Sequence, residues 1–240
     1  MTNNEFSDQF DILLNSYSTI EPKGLTQDIS NIKLDEYEKS VYLSNAQEDL
    51  LVQISSTSFE SNEEFRRTLN NLIKNYSTTT KVTSTENIGD NTVFFPIPSN
   101  TMKILKEDII TSSTVTCFNN LRLKVVPITH DEYMLQKDNP FRKPKMTGRT
   151  RQTWRIDYGD ILGSKVVEIA HPEEIDIYSY NMRYIPKPSP IILVDLPNDL
   201  SIDGINVETE CELDSLLHRE ILKLAVTNAL RVIVGTRSSE

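Results

Sequence analysis

Glycine is scarce in this chain: 7 of 240 residues, about 3% where ~7% is usual. No GxGxxG and no GKS or GKT occurs, so dinucleotide and P-loop phosphate cradles lack their backbone. Cysteine is limited to Cys117 and Cys211, far apart and outside any CxxC. That excludes a disulfide framework or a zinc ribbon, and both residues are expected as buried thiols. The three histidines, His130, His171 and His218, form no HExxH, and GxSxG is missing too. His130-Asp131-Glu132 are neighbours, but successive helical side chains point about 100° apart and do not converge on one ion. Capping and solvation account for them. No apolar run approaches the ~18 residues of a membrane span. The N-terminus MTNNEFSDQF is more polar than a signal peptide. The expectation is a non-enzymatic protein without metal, cofactor or membrane, made and kept in a cytoplasm.

The net charge is −10, which disfavours general nucleic-acid affinity. It is unevenly spread. Positions 122–155 hold nine basic residues (Arg122, Lys124, Lys137, Arg142, Lys143, Lys145, Arg149, Arg151, Arg155) against Asp131, Glu132 and Asp138. The segment is therefore +6 and the remainder −16. Such bipolarity suits complementary contacts with neighbours, including other copies of the same chain.

At the N-terminus, Phe6, Phe10, Leu13, Leu14 and Tyr17 form one helical stripe over 5–17, with Asn3 or Asn4 as cap. Asp35 and Glu38 make a capping-box start for a longer helix with Tyr42, Ala46, Leu50 and Ile54 on its face. Ser61 and Glu64 repeat the device before Phe65, Leu69, Leu72, Ile73 and Tyr76. From Ser77 the period changes. Thr-rich and β-branched segments follow, with Gly89-Asp90-Asn91 as a turn in a hairpin over 81–93. Further strands are expected at 121–128, 153–158, 165–169 and 177–184, while 102–110 fits a strand or a helical turn.

Near the C-terminus, Pro186, Pro188 and Pro190 predict an extended arm leading into a buried strand over 191–196. Asp214 or Ser215 then caps a helix carrying Leu217, Ile221, Leu224, Ala225, Ala229 and Ile233, with Gly235 as its stop. The fold class is α+β: N-terminal helices, a mainly antiparallel β middle region and a C-terminal helix packed with the N-terminal ones. In domain terms this means a helical segment 1–76, a mainly β segment 77–210 with a projecting loop at about 129–155, and 211–240 packing with 1–76.

That loop carries the interaction-prone residues. Thr129 caps a short helix through Leu135, and Asn139-Pro140 breaks it. Phe141 stands among Arg142, Lys143 and Lys145, with Arg149, Arg151 and Arg155 following. An aromatic anchor with a charged rim fits a protein interface. Two other readings compete with it: Phe141 tucked into its own core behind a solvated loop, or a nucleic-acid module in which the 142–155 cations hold phosphates and Phe141 or Trp154 stacks on bases. A hydrolase would need the histidines and carboxylates to converge in space.

The words RYIPKPSPIILVDL and ECELDSLLHREILKLAV resemble the C-terminal half of virion structural proteins of crAss-like bacteriophages, a group that includes ring proteins between portal and tail. FDILLNSY, KGL and DEYEKSVYLSNAQEDLL resemble its N-terminal part, and PITHDEYMLQKDNPFRKP its middle. The resemblance implies a head-to-tail or tail ring subunit in the virion, assembled in the host cytoplasm with twelve-fold order. It implies portal or adjacent tail ring proteins as partners and DNA passing through the lumen without sequence-specific binding. It also marks Asn139, Pro140, Phe141 and Arg142 as a shared structural turn.

Overall fold

A computed structural model describes residues 1–18, 33–56, 70–83, 91–146, 151–161, 163–197 and 199–237. In chain order these form α1 (Asn3–Ser18), α2 (Glu36–Ser56), β1 (Lys74–Thr78), β2 (Thr92–Pro96), β3 (Thr101–Ser112), a 3-10 turn (Thr116–Phe118), β4 (Arg122–Ile128), α3 (His130–Gln136), β5 (Gln152–Ile161), β6 (Ser164–Ala170), β7 (Asp176–Pro186) and α4 (Ser215–Arg237). The chain divides into two compact units, one of Met1–Leu72 with Lys187–Glu240, the other of Ile73–Pro186.

In the first unit α1 buries Phe6, Phe10 and Leu14 completely. Its N-terminal box is Thr2 with Glu5: the Thr2 amide donates to Glu5 Oε2 at 2.9 Å and the Glu5 amide to Thr2 Oγ1 at 3.4 Å. Asn3, expected as a cap, is instead buried and donates Nδ2 to the Ile192 carbonyl at 3.2 Å and to Glu208 Oε1 at 2.9 Å. α2 starts at the expected box, the Asp35 amide donating to Glu38 Oε2 at 3.0 Å. Its buried face is turned from the one expected: Leu43, Ala46, Leu51 and Ile54 are buried, Tyr42 and Leu50 only partly. Polar residues explain the turn. Ser40, Ser44 and Gln47 share the buried side because they bond the backbone of the extended arm. The Leu193 amide donates to Ser40 Oγ at 3.0 Å, the Ile191 amide to Ser44 Oγ at 3.0 Å, and Gln47 Nε2 donates to the Ser189 carbonyl at 2.9 Å.

The expected strand over 191–196 is thus not part of a sheet. Its backbone is satisfied by side chains of α2, and only an isolated bridge joins Ile192 to Thr209. α4 begins where Asp214 Oδ1 accepts the Leu216 amide at 3.0 Å, and it runs through Gly235 instead of stopping there. Glycine in a last turn costs only about 1 kcal/mol against alanine and does not force an end. Leu217, Ile221, Leu222, Ala225, Val226 and Ala229 are buried on α4, which packs on α1 and α2.

The second unit is one curled seven-stranded sheet in the order β1-β7-β3-β4-β5-β6-β2, antiparallel except for β4 with β5. Tyr76, expected at the end of a third helix, lies in β1, where the following threonines favour extension and β7 supplies the partner. Most of that helix, and the Gly89-Asp90 part of the hairpin turn, falls outside the described residues; Val82 and Phe94 do form an antiparallel bridge. The ambiguous 102–110 segment lies in the long strand β3. Period-two alternation separates two faces. The inner face gathers Phe95, Ile109, Leu123, Val167, Tyr180 and Met182. The outer one carries Tyr133, Trp154, Ile156 and Ala170 at one end. The curl brings the outermost strands together: Tyr76 Oη of β1 donates to the Pro96 carbonyl of β2 at 3.1 Å.

Neither cysteine is fully buried. Cys117 is exposed on the turn that directs Phe118 toward the core, and Cys211 is half-buried. Burial nonetheless pushes the Cys211 thiol up to about 11.

Candidate functional site

β4 and β5 run parallel, and a parallel pair needs a crossover of a dozen residues or more. Residues 129–151 are that crossover, which is why a long segment leaves the sheet here. Its first part is α3. The Glu132 amide donates to Thr129 Oγ1 at 3.2 Å and the Thr129 amide to Glu132 Oε2 at 3.1 Å. This capping box employs one member of His130-Asp131-Glu132, and all three face solvent. Tyr133 holds α3 to the sheet, its ring edge-on to Trp154 at 6.1 Å between centroids. The opposite side of the helix leaves Met134 57% and Leu135 82% exposed.

Asn139 organises the turn after α3. Its Oδ1 accepts the Phe141 amide at 2.9 Å, and its carbonyl accepts the amides of Arg142 at 3.1 Å and Lys143 at 2.9 Å. Such an Asx turn needs no tertiary partner, and Pro140 has no amide to satisfy. The consequence is Phe141 held outward, 85% exposed, which removes the reading in which it tucks into its own core. Further on, Lys145 bridges to Gln152 and Met146 is buried in the inner core, so both flanks of the turn are anchored.

The structure brings Asn139, Pro140, Phe141, Arg142, Lys143 and Lys145 together, with Arg151 at the end of the crossover. Arg149 lies outside the described residues. Arg155 is separated from the set: it sits on β5, and its Nη1 donates to Glu107 Oε1 at 3.0 Å inside the sheet. The Tyr180 hydroxyl donates to the same oxygen. Burial raises the Glu107 carboxyl above its ordinary range against the opposing pull of Arg155 and Tyr180. Burial and the neighbouring carboxylate raise the Tyr180 hydroxyl as well. This group is a core ion pair; the buried Arg155 Nε makes no hydrogen bond among the described residues and lies 3.5 Å from Asp157 Oδ1.

A pocket of about 400 Å³ lies beside the crossover. Its wall holds Lys137, Lys143 and Lys145 together with Asp138, Glu173 and Glu174, so its lining is of mixed charge. Trp154 is 2% exposed, which removes it as a platform for bases. His171 Nδ1 lies 2.9 Å from the Pro172 carbonyl, and His218 Nε2 lies 3.0 Å from the Leu213 carbonyl. Among the described residues no three His, Cys, Asp or Glu side chains are placed to hold a metal ion, and no helix is long and apolar enough to cross a membrane.

Sequence reasoning missed Met134 and Leu135, since a short helix does not reveal which side it buries. It also missed an excursion over 192–209 in the first unit. There Ile202 and Ile205 pair around Asp203 (φ 52°) and Gly204 (φ 79°). Asp-Gly between two isoleucines is a strong two-residue hairpin signal and was available in the sequence.

Residues 1–238 match the family described as phage tail ring protein 3/4. The chain is 43% identical to Ring protein 3 of Bacteroides phage crAss001 over 238 residues, covering 96% of this chain and 95% of that one. It is 30% identical to Ring protein 4/5 of the same phage over 250 residues, covering 98% and 94%. With both units inside the matched span, the chain belongs to the phage tail ring protein 3/4 family, structural proteins of crAss-like virions.

Proposed function

We propose that this protein is one subunit of a closed homo-oligomeric ring at the head-tail junction or in the tail, surrounding the path of DNA and docking the virion proteins above and below. Identical subunits meet head to tail, so one surface of each must fit a different surface of the next. The observation that carries this reading is Phe141, 85% exposed on a turn fixed by its own hydrogen bonds, with Met134 and Leu135 exposed nearby and a basic rim. A pre-organised aromatic anchor loses little entropy on docking. A net charge of −10 suits a wall that DNA slides past without being gripped. Twelve copies per ring is the order implied by the sequence resemblance.

The test compares Phe141→Ala with the pair Arg149→Ala, Arg151→Ala. Particle incorporation and the salt dependence of DNA binding by the purified protein are measured for each. We expect incorporation to fall with Phe141→Ala and no steep salt-sensitive DNA binding in any form. Strong DNA binding lost with the arginines, together with normal assembly of Phe141→Ala, would favour the nucleic-acid module instead. A single copy per particle would remove the ring.

A further inference from the structure

The two units differ sharply in charge. Met1–Leu72 with Lys187–Glu240 holds 22 acidic and 10 basic residues, a net of −12, while Ile73–Pro186 holds 13 and 15, a net of +2. The acidic excess is densest between 195 and 214, where seven acidic residues occur and no basic one. This stretch includes most of the hairpin excursion. The Leu196 amide donates to the Asn206 carbonyl at 2.7 Å, and Ile202 and Ile205 exchange bonds at 2.9 Å around the Asp203-Gly204 turn. The Glu208 amide donates to Asp195 Oδ1 at 2.8 Å. Asp203 is paired with Lys187, 2.8 Å away. Asp199 and Glu210 are exposed and engage no partner among the described residues. Between the acids, Val194 is 50%, Leu200 37% and Val207 60% exposed.

The crossover in the second unit is basic on balance, with six basic residues against Asp131, Glu132 and Asp138 over 129–151, and from Asn139 onward it carries no acidic residue. Arg142, Lys143 and Arg151 are exposed and form no ion pair among the described residues; Arg142 and Lys143 directly follow exposed Phe141 in its turn, and Met134 and Leu135 are exposed on the helix before it. Each surface joins uncovered apolar side chains to an excess of charge, negative on the hairpin and positive on the turn after Asn139. Exposed apolar side chains grouped with polar ones mark docking surfaces, and opposite potentials set register and partner choice.

We infer that the acidic hairpin over 192–209 of one copy docks on the basic, Phe141-bearing crossover of a second copy, forming the repeated subunit contact. The inference rests on the ring reading and names the surfaces it requires. A head-to-tail contact needs two different complementary patches on one chain, and these two satisfy that condition. Apolar contact between Leu200 or Val207 and Phe141 would supply buried area, and Asp199 and Glu210 facing Arg142 and Arg151 would fix the orientation.

The experiment uses two full-length variants, Asp199→Lys with Glu210→Lys, and Arg142→Glu with Arg151→Glu. All four side chains are exposed, so melting temperatures should stay at the wild-type value. The neutral variants Asp199→Asn with Glu210→Gln serve if a reversed chain melts early. Particles are assembled with each variant in place of the wild type, and copies per particle are counted. Either variant alone sets like charge against like and should lose incorporation about ten-fold or more. An equal mixture presents a basic hairpin to acidic crossovers and an acidic hairpin to basic ones, so alternating rings should recover incorporation. Wild-type incorporation by each variant alone would overturn the proposed contact while leaving the ring intact. Loss that mixing does not recover would also overturn it. Recovery only when all four substitutions share one chain would place the contact within a chain and overturn it too. A single wild-type copy per particle would instead remove the ring reading itself.

Discussion

Arg155 ends the basic run of the sequence, yet it occupies an inward position of β5 and meets Glu107 in the sheet interior, with side chains 11% and 6% exposed. A single inward strand position separates it from the solvated cations near it in the chain. Truncating one partner of a buried pair strands the other, and Arg155→Ala should cost about 3–5 kcal/mol. The loss should depend on pH. Burial raises the Glu107 carboxyl above its ordinary 4.5, while Arg155 and Tyr180 hold it down. A raised value means that the folded state binds the proton more tightly than the unfolded one. The contribution of this group is therefore fully present below about pH 4.5 and is lost as pH rises through the folded value. Removing Arg155 raises the folded value further. Denaturant unfolding should thus show a larger loss at pH 7 than at pH 4.5, and equal losses would contradict this account. Asn139 is the opposite case: its turn closes within four residues, so the outward placement of Phe141 follows from local chemistry.

At the scale of elements, α2 shows why an apolar pattern misjudges a face. A helix is expected to bury its apolar stripe, but this one also buries Lys39, Ser40, Ser44 and Gln47. Lys39 Nζ reaches Asp11 at 2.8 Å and Glu36 at 3.0 Å, tying α2 to α1. Ser44 Oγ lies 3.0 Å from the Ile191 amide that donates to it and 3.2 Å from the Ile191 carbonyl that accepts from it. Helix propensity alone says that Ser44→Ala should stabilise by a few tenths of a kcal/mol. The structure says the reverse, since both polar groups of buried Ile191 lose a partner, at about 1–3 kcal/mol. Thermal or urea unfolding decides by sign, and a stabilised variant would show that the arm is held by something else. The prolines of the arm told of its extension. That its backbone would be answered by side chains of a helix about 150 positions earlier in the chain lay beyond any local pattern.

At the scale of the whole molecule, the first unit closes only when both ends of the chain have been made. α4 covers α1 and α2, burying Ile221, Ala225 and Ala229 without residue. A chain ending at Asp214 should therefore leave Phe6, Phe10 and Leu43 uncovered. We expect limited proteolysis of that chain to degrade the first unit while sparing Ile73–Pro186, whose core lies within its own sheet. Uniform resistance, or uniform loss, would contradict independent stability of the two units.

The helix caps at Asp35 and Asp214, the strand periods from β4 to β7 and the exposed turn at Asn139 follow from neighbours in the chain, where spacing and hydrogen-bonding groups decide. By contrast, β3 fitted a helical turn as well until its sheet partners settled it. The α+β class and the family follow from the same local words. Three outcomes belong to the tertiary structure alone: Arg155 against Glu107, the α2 serines on the arm, and a β1–β7 pairing that ends the third helical stripe at Tyr76. Each depends on groups brought together from tens to more than a hundred positions apart. Their energies come from desolvation and mutual satisfaction, which no window of sequence contains.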